Sequence, residues 1–474
     1  MPDAPSARPR VLAIGPYERD NVGDLLFLLV TERYLADAEV IATAPFASDM
    51  TELLDRRVEA YGSRLRDDDV DAIWSMGGEI GGTTMESAFR MSMPQPLRQR
   101  FNTATHAEQQ RMLAEAVDHA PIVAPYIPNP AAFERNAGAV TIVNSAGLGG
   151  LRGRPWHVRH ELLEALRSAD AVSVRDPIAS AYLTDMAVEH TLVPDVVHAL
   201  GAVDPHPYDP DSDVVVVQSS VSILRDLGHE ALAKALVTSK HLDGMTIRFV
   251  MAGTVPSTDS LAAYEQVADH IARLDPARSV ELRTERRPAD IVEQLRTARV
   301  VIGTSLHVRI ISAAYQVPRL TFTRVKPTRY AKHWDPHMPF DVGLADLEAS
   351  IGRALEIGDR DEVVEASAEL TRRADANARE LADLVRGAAS RPAAEVEQLA
   401  ARRRAIYEPI LAERLACAPD EAKLHARIDQ ATAEAAALRA ELDATRRQLD
   451  DARARRPIAR ARRVAGRAKR RLTS

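Results

Sequence analysis

Short apolar runs alternate with amphipathic stretches along most of the chain. VLAIG from Val11, EVIATA from Glu39, DAIWSMGG from Asp71, AVTIVNSAGLGG from Ala139, AVSVRD from Ala171 and HTLVPD from His190 each read as a buried strand closed by a polar or glycine-containing turn. Helical spacing separates several of them, beginning with Leu25 to Leu35. Ser87 to Pro121 fits the alternation less well and reads as an insertion holding a helix from His106 to Val117. Strand and helix in alternation over about 200 residues predict a parallel sheet covered by helices on both faces.

A Pro- and Asp-rich linker, AVDPHPYDPDSD, runs from Ala202 to Asp213, and the alternation then restarts. DVVVVQS at Asp213, MTIRFVMAG at Met245, SVEL at Ser279, VVIGT at Val300 and RLTF at Arg319 are strands. Leu227 to Thr238, Leu261 to Leu274 and Pro288 to Thr297 are the helices between them. Two doubly wound α/β units in tandem are predicted. Ligands bind beyond the carboxyl ends of strands in such sheets, so two facing sheets would set their loops around one cleft. Val342 to Leu384 is helical throughout. Further on, Leu424, Ile428, Ala431, Ala435, Leu438, Leu442, Thr445 and Leu449 recur in steps of four and three, the seam of a coiled coil weakened by its small and polar members. The expected divisions are an N-terminal Rossmann-like domain (1–201), a C-terminal one (213–340), a helical extension (341–400), a coiled coil (420–451) and a basic tail (452–474).

Composition narrows the function. The 474 residues exceed a single core, and 46% are hydrophobic, enough for ordinary globular domains. A net charge of -7 argues against nucleic acid as the partner of the whole chain. The single cysteine, Cys417, excludes an internal disulfide framework and a cysteine-rich metal site, and no metal is expected. MPDAPSARPR lacks the apolar core of a signal peptide, and no apolar run reaches the roughly 18 to 20 residues of a membrane span. A soluble cytoplasmic protein is expected. Its arginine-dense tail reads either as a solvated segment or as a peripheral contact with anionic lipid at the inner face of the plasma membrane.

Four motifs carry candidate chemistry. In NVGD, Gly23 permits a tight loop and Asp24 can cap the helix from Leu25, whereas Asn21 has no structural explanation. MGGEIGG (Met76–Gly82) and SAGLGG (Ser145–Gly150) end strands in glycines. They match neither a P-loop nor G-x-G-x-x-G, and they serve either as crowded turns or as ligand contacts; Gly77, Gly78 and Glu79 are the candidates. In SVRDP, Arg175 follows a strand directly; its planar guanidinium suits a carboxylate or phosphate, and a salt bridge to Asp176 or Asp195 is the plainer alternative. In GTSLHVR, Thr304 or Ser305 can cap a helix from Leu306 to Tyr315, whose amino end would attract an anion. His307 stands in its first turn, and Arg309 shares a face with Ser305.

The ordered set NVGD, MGGE, SVRD with VPD, and GTSLH with QVP resembles the polysaccharide pyruvyl transferase family from about Val11 to about Lys332. The resemblance implies two facing Rossmann-like domains, as in GT-B glycosyltransferases. It implies phosphoenolpyruvate as co-substrate with no other cofactor, and a sugar hydroxyl pair on a cell-surface glycan or a lipid-linked precursor as acceptor. By motif, Arg175 and the Leu306–His307 pair would hold the donor, with His307 the acid–base group. This sequence departs from the family pattern at Ser305, where the family has arginine. Arg309 is expected to replace that charge, with Arg324 and Lys326 as further candidates. Two other readings compete: a GT-B glycosyltransferase using a nucleotide sugar, and a non-catalytic scaffold for envelope glycan assembly. A homo-oligomer through the coiled coil is a further expectation.

Overall fold

The computed structural model describes residues 8–254 and 258–471. Within the last helix the side chains at 417–422, 425, 426, 432 and from 449 onward lie outside the described residues, and with them the side chains of the basic tail. Of the described residues, those within 8–99 and 113–412 form one compact unit that contains both sheets, and those within 100–112 and 413–471 form a second.

The first sheet takes β1 (Arg10–Ile14), β2 (Glu39–Ala44), β3 (Ser48–Asp49), β4 (Arg57–Ala60), β5 (Ala72–Met76), β6 (Val140–Ala146), β7 (Ala171–Val174) and β8 (Thr191–Leu192). Their order is β3-β4-β2-β1-β5-β6-β7-β8. Only the short edge strand β3 runs antiparallel. The second sheet holds β9 (Val214–Val217), β10 (Thr246–Phe249), β11 (Val280–Leu282), β12 (Val300–Gly303) and β13 (Arg319–Thr321) in the order β11-β10-β9-β12-β13, parallel throughout. The central strands are buried on both faces, which is why they read as unbroken Val and Ile runs. This is the two-domain, GT-B-like α/β arrangement expected from the sequence.

Strand order reverses between β1 and β5 in the first sheet and between β9 and β12 in the second, and ligands bind at such switch points. The loops beyond those strands carry NVGD and MGGE on one side and GTSLH on the other. The motifs therefore cluster because of topology. Beside the switch points, backbone joins the domains: Val22 N–H donates to Ala252 O at 2.8 Å and Thr254 N–H to Asp20 O at 3.2 Å.

Local differences from the sequence reading have local causes. The edge strand β3 and its neighbour β4, of two and four residues, are too short to show an alternating pattern. The expected helix Leu227–Thr238 is observed as His229–Val237, and Gly228, at φ 85°, separates it from a further helix, Val221–Leu227, that the sequence reading did not include. The insertion holds the helices Met85–Ser92, Gln95–Thr103 and His106–Ala116.

The segment 341–400 is not a separate extension. Helix Asp361–Ala388 buries Ala374, Ala378, Leu381, Ala382 and Val385 in the same core as Trp74 and Leu28 of the N-terminal domain. Tyr34 Oη donates to Asp375 at 2.7 Å, and Asn377 Nδ2 to Asn144 Oδ1 at 2.9 Å. The next helix, Ala393–Arg471, begins as part of the same unit. Arg403, 2% exposed, donates to the carbonyls of Ala137, Ala139 and Ser168 and pairs with Asp170. The folded unit thus runs to about Ala412, beyond Leu384. A chain ending after Ala412 should keep its cooperative unfolding transition. Arg403→Met should cost about 2 to 4 kcal/mol in denaturant melts, because three carbonyls and a carboxylate lose one shared donor. A melt unchanged by that substitution would remove Arg403 from the fold's supports.

Candidate active site

Asp195 follows β8 and is completely buried. Its Oδ1 accepts from Val197 N–H at 3.0 Å, and its Oδ2 is the partner of Arg175 Nη1. Burial pushes the Asp195 carboxyl up, but the Arg175 charge and His307 outweigh it and hold the group well below the usual carboxylate range. Arg175, at the end of β7, is 5% exposed. Its Nε and Nη2 have no hydrogen-bond partner among the described residues. Its carbonyl accepts from Trp334 Nε1 at 2.8 Å, so a helix of the second domain fixes its backbone.

His307 arrives from the second domain. Its Nε2 lies 3.5 Å from Arg175 Nη1 and 3.8 Å from Asp195 Oδ2. The ring meets Phe27 edge-on, with centroids 5.2 Å apart. Neutral, Nε2 can accept from the guanidinium; protonated, it faces the carboxylate. The ring also explains Gly23: a Cβ there would stand 1.8 Å from His307 Nδ1. Gly77, at φ 61°, is required for a related reason, since a Cβ would meet the Phe27 ring at 2.1 Å. Glycines in both N-terminal loops let Phe27 and His307 close over Arg175.

The cleft beside this cluster is lined by Glu79, Arg175, Asp176, Pro177, Leu306, Lys326, Arg329 and Tyr330, with an empty volume of about 420 Å³. Lys326 and Arg329 are exposed and make no ion pair or hydrogen bond among the described residues. They lie three apart on helix Val325–Trp334 and so share a face. Partial loss of water holds the Lys326 ammonium below the usual lysine value, with Glu79 opposing and Arg175 reinforcing. His307 lies beside Arg175, its side chain 12% exposed.

The other expected residues take different places. Asn21 caps helix Val22–Tyr34, its Oδ1 accepting from Gly23 and Asp24 N–H at 3.1 and 3.3 Å. Asp24, expected as the cap, is buried and paired with Arg19 at 2.7 Å. Glu79 Oε1 accepts from Gly150 N–H at 3.1 Å, and Gly147 N–H donates to Gly78 O at 2.7 Å, so the two glycine loops pack on each other. Ser305 does cap helix Leu306–Ala314, but Gln218 Oε1 takes the N–H groups of Thr304 and Ser305 at 3.0 and 2.9 Å.

Arg309 lies away from the cleft. It is 2% exposed, pairs with Asp335 at 2.7 Å and donates to Thr321 Oγ1 and to the carbonyls of Asp335, Met338 and Pro339. Burial, reinforced by neighbouring Arg319 and opposed by Asp335, lowers its pKa to about 10. With both terminal nitrogens bonded inward and Nε against Asp335, it does not reach the cleft to supply the charge absent at Ser305. Arg329, which does line the cleft, was not singled out from sequence. The legible signal was its spacing of three from Lys326 on an amphipathic helix. Of the two partners weighed for Arg175 from sequence, Asp195 is the one that pairs with it; Phe27 was hidden, because an apolar helix residue has no local signature.

Residues 118–324 match the family model for polysaccharide pyruvyl transferase, the class of protein that the ordered motifs resemble. No curated protein matches the chain. Among solved structures, a putative UDP-N-acetylglucosamine 2-epimerase from Listeria monocytogenes is 11% identical, covering 80% of this chain and 96% of its own, with a TM-score of 0.48. UDP-GlcNAc 2-epimerase from Neisseria meningitidis bound to UDP-GlcNAc is 10% identical over 77% of this chain and 98% of its own, with a TM-score of 0.44. A spinosyn rhamnosyltransferase complexed with thymidine diphosphate is 14% identical over 79% and 99%, with a TM-score of 0.38. Among the described residues no helix is long and apolar enough to cross a membrane, and no cluster of His, Cys, Asp and Glu could hold a metal ion.

Two predictions follow from the packing. Gly23→Ala should lower the melting temperature by several degrees although alanine favours helices, and His307→Ala in the same chain should restore much of it. Additive losses would show that the two residues do not meet. His198, completely buried with Nε2 3.0 Å from Tyr330 Oη, has its pKa lowered to about 4 by burial, against the attraction of Asp195. The unfolded chain therefore binds the extra proton between about pH 6.5 and 4, and stability falls as pH falls through that window. His198→Gln should flatten that slope in urea melts by roughly 3 kcal/mol across the window; an unchanged slope would exclude His198 as its source.

Proposed function

We propose that this chain transfers a pyruvyl group from phosphoenolpyruvate to two hydroxyls of a glycan or a lipid-linked sugar, leaving a cyclic ketal. The observation that carries the reading is the convergence of unused donors on the cleft: Arg175 Nε and Nη2, Lys326 and Arg329. A donor with one phosphate and one carboxylate requires such a set, because charge-assisted hydrogen bonds hold both anionic groups and orient the carbon between them. The family match over residues 118–324 supports the same class.

In the proposed reaction, the methylene carbon of the enol takes a proton and the central carbon becomes electrophilic. One sugar hydroxyl adds, losing its proton. Phosphate leaves with the C–O electron pair, and the second hydroxyl closes the ketal, also losing a proton. Fixed cations stabilise the departing phosphate. His307 is the acid candidate, since an imidazole can carry a proton and give it up, and its Nε2 lies 3.5 Å from Arg175 Nη1. Arg329 and Lys326 supply the charge that Ser305 lacks.

Lys326→Met and Arg329→Met should each weaken phosphoenolpyruvate binding about tenfold or more, the worth of a hydrogen bond to a charged group, with the melting temperature of the free protein unchanged. Thermal shift with phosphoenolpyruvate, nucleotides and nucleotide sugars measures this, because a ligand bound only by the native state raises the transition. Stabilisation by a nucleotide sugar alone would favour glycosyl transfer, and stabilisation by none of them a scaffold. His307→Ala should abolish phosphate release from phosphoenolpyruvate with acceptor present. If His307→Asn retains turnover with an unaltered pH profile, the histidine positions Arg175 and does not move the proton.

A further inference from the structure

We propose that the distal part of helix Ala393–Arg471 pairs with a second copy of this chain as a parallel, in-register, two-stranded coil. The seam residues Leu424, Ile428, Leu438 and Leu442 are 55%, 49%, 65% and 50% exposed. Four large aliphatic side chains on one stripe of one helix are left uncovered. The insertion contact on this stretch, His106 N–H to Asp429 Oδ2 at 2.8 Å, falls beside the seam at the position after Ile428.

The flanking charges select the partner and its direction. With Leu424, Ala431, Leu438 and Thr445 at d and Ile428, Ala435 and Leu442 at a, Glu434 and Glu441 stand at g while Arg439 and Arg446 stand at e. All four are exposed, and none has an ion pair among the described residues. In a parallel, in-register pair each g residue faces the e residue five places on in the partner helix. Glu434 then meets Arg439 of the other copy, and Glu441 meets its Arg446, twice by symmetry. The remaining g residues, Arg427 and Gln448, add no repulsion, since Arg427 faces Thr432. An antiparallel pair would set g against g and e against e, which leaves Arg439 and Arg446 facing e residues that carry no acid. Alanine and threonine at three seam positions keep the coil narrow and weak, so the dimer forms reversibly with concentration.

Sedimentation of the full chain over a wide concentration range should show a monomer–dimer equilibrium. Glu434→Arg with Glu441→Arg should raise the dissociation constant on the order of tenfold to a hundredfold, as attractive pairs become repulsive. These exposed substitutions leave the unit with the sheets intact, which its melting temperature checks. For direction, Leu438→Cys in a Cys417→Ser chain, where it is the sole thiol, should form a disulfide-linked dimer on mild oxidation. A chain that stays monomeric at the highest concentration, a dimer indifferent to the double reversal, or a dimer that Leu438→Cys does not cross-link would each overturn the proposal.

Discussion

The carboxylate of Asp195 is shut off from water in the floor of the cleft, and it must be balanced where it stands. Arg175 supplies the charge, Val197 an amide, and Tyr330 of the second domain accepts from the Asp195 N–H at 3.1 Å. That one requirement sets much of the rest. It commits one nitrogen of the Arg175 fork and leaves the other two without a hydrogen-bond partner among the described residues, on a side chain that lines the cleft. It draws His307 over Gly23 and makes the two domains meet at a fixed point. It also means that replacing Arg175 strands a buried charge, at a cost of about 3 to 5 kcal/mol. A lost activity in such a variant would be as much a folding result as a binding one, so Lys326 and Arg329 are the cleaner probes of the cleft.

The fold was legible because its strands are buried on both faces. Runs such as VVVV and VVIG have one stable home, the centre of a parallel sheet, and the glycines and Pro-Asp stretch mark where it stops. The location of the site was legible for the same reason, since topology puts strand-end loops at the two switch points. The roles of individual residues were less so. Face arithmetic on helix Leu306–Ala314 placed Arg309 beside Ser305, but the sequence carries no sign that this face turns into the protein. That depends on Asp335 and the carbonyls of the 335–339 turn, distant in the chain and brought there by tertiary packing. Likewise Gln218, which occupies the amides of Thr304 and Ser305, lies across the sheet, beyond the reach of any local pattern.

Gln218 changes how the second switch point works. A free helix start would attract an anion through its amides. Here the amide side chain neutralises Thr304 and Ser305, while its Nε2 donates to Asp259 at 2.7 Å. The first amides of the helix itself, at Leu306 and His307, take no bond among the described residues, and the positive side chains of the cleft are Lys326 and Arg329 on the next helix and Arg175 opposite. Side chains hold a ligand further from the backbone than helix amides do, which suits a cleft between domains better than a groove in one of them.

The domains are held together at several points around that cleft. Arg286 pairs with Asp20 at 2.8 Å, Arg287 with Asp55 at 2.7 Å, and the backbones of Asn21 and Gly253 form an antiparallel bridge. Helix Asp361–Ala388 returns from the second sheet to bury its alanine and leucine face in the core of the first domain, and Ser367 near its start accepts from Arg319 at 3.0 Å. A cleft tied in this way does not need a ligand to assemble it. Folding therefore fixes Arg175 through Asp195 and Trp334 and sets the helix that carries Lys326 and Arg329, so less binding free energy is lost to assembling the cleft when a ligand arrives. Two sheets could have been joined by a flexible linker alone; the buried return helix is what makes their facing loops a single, preorganised site.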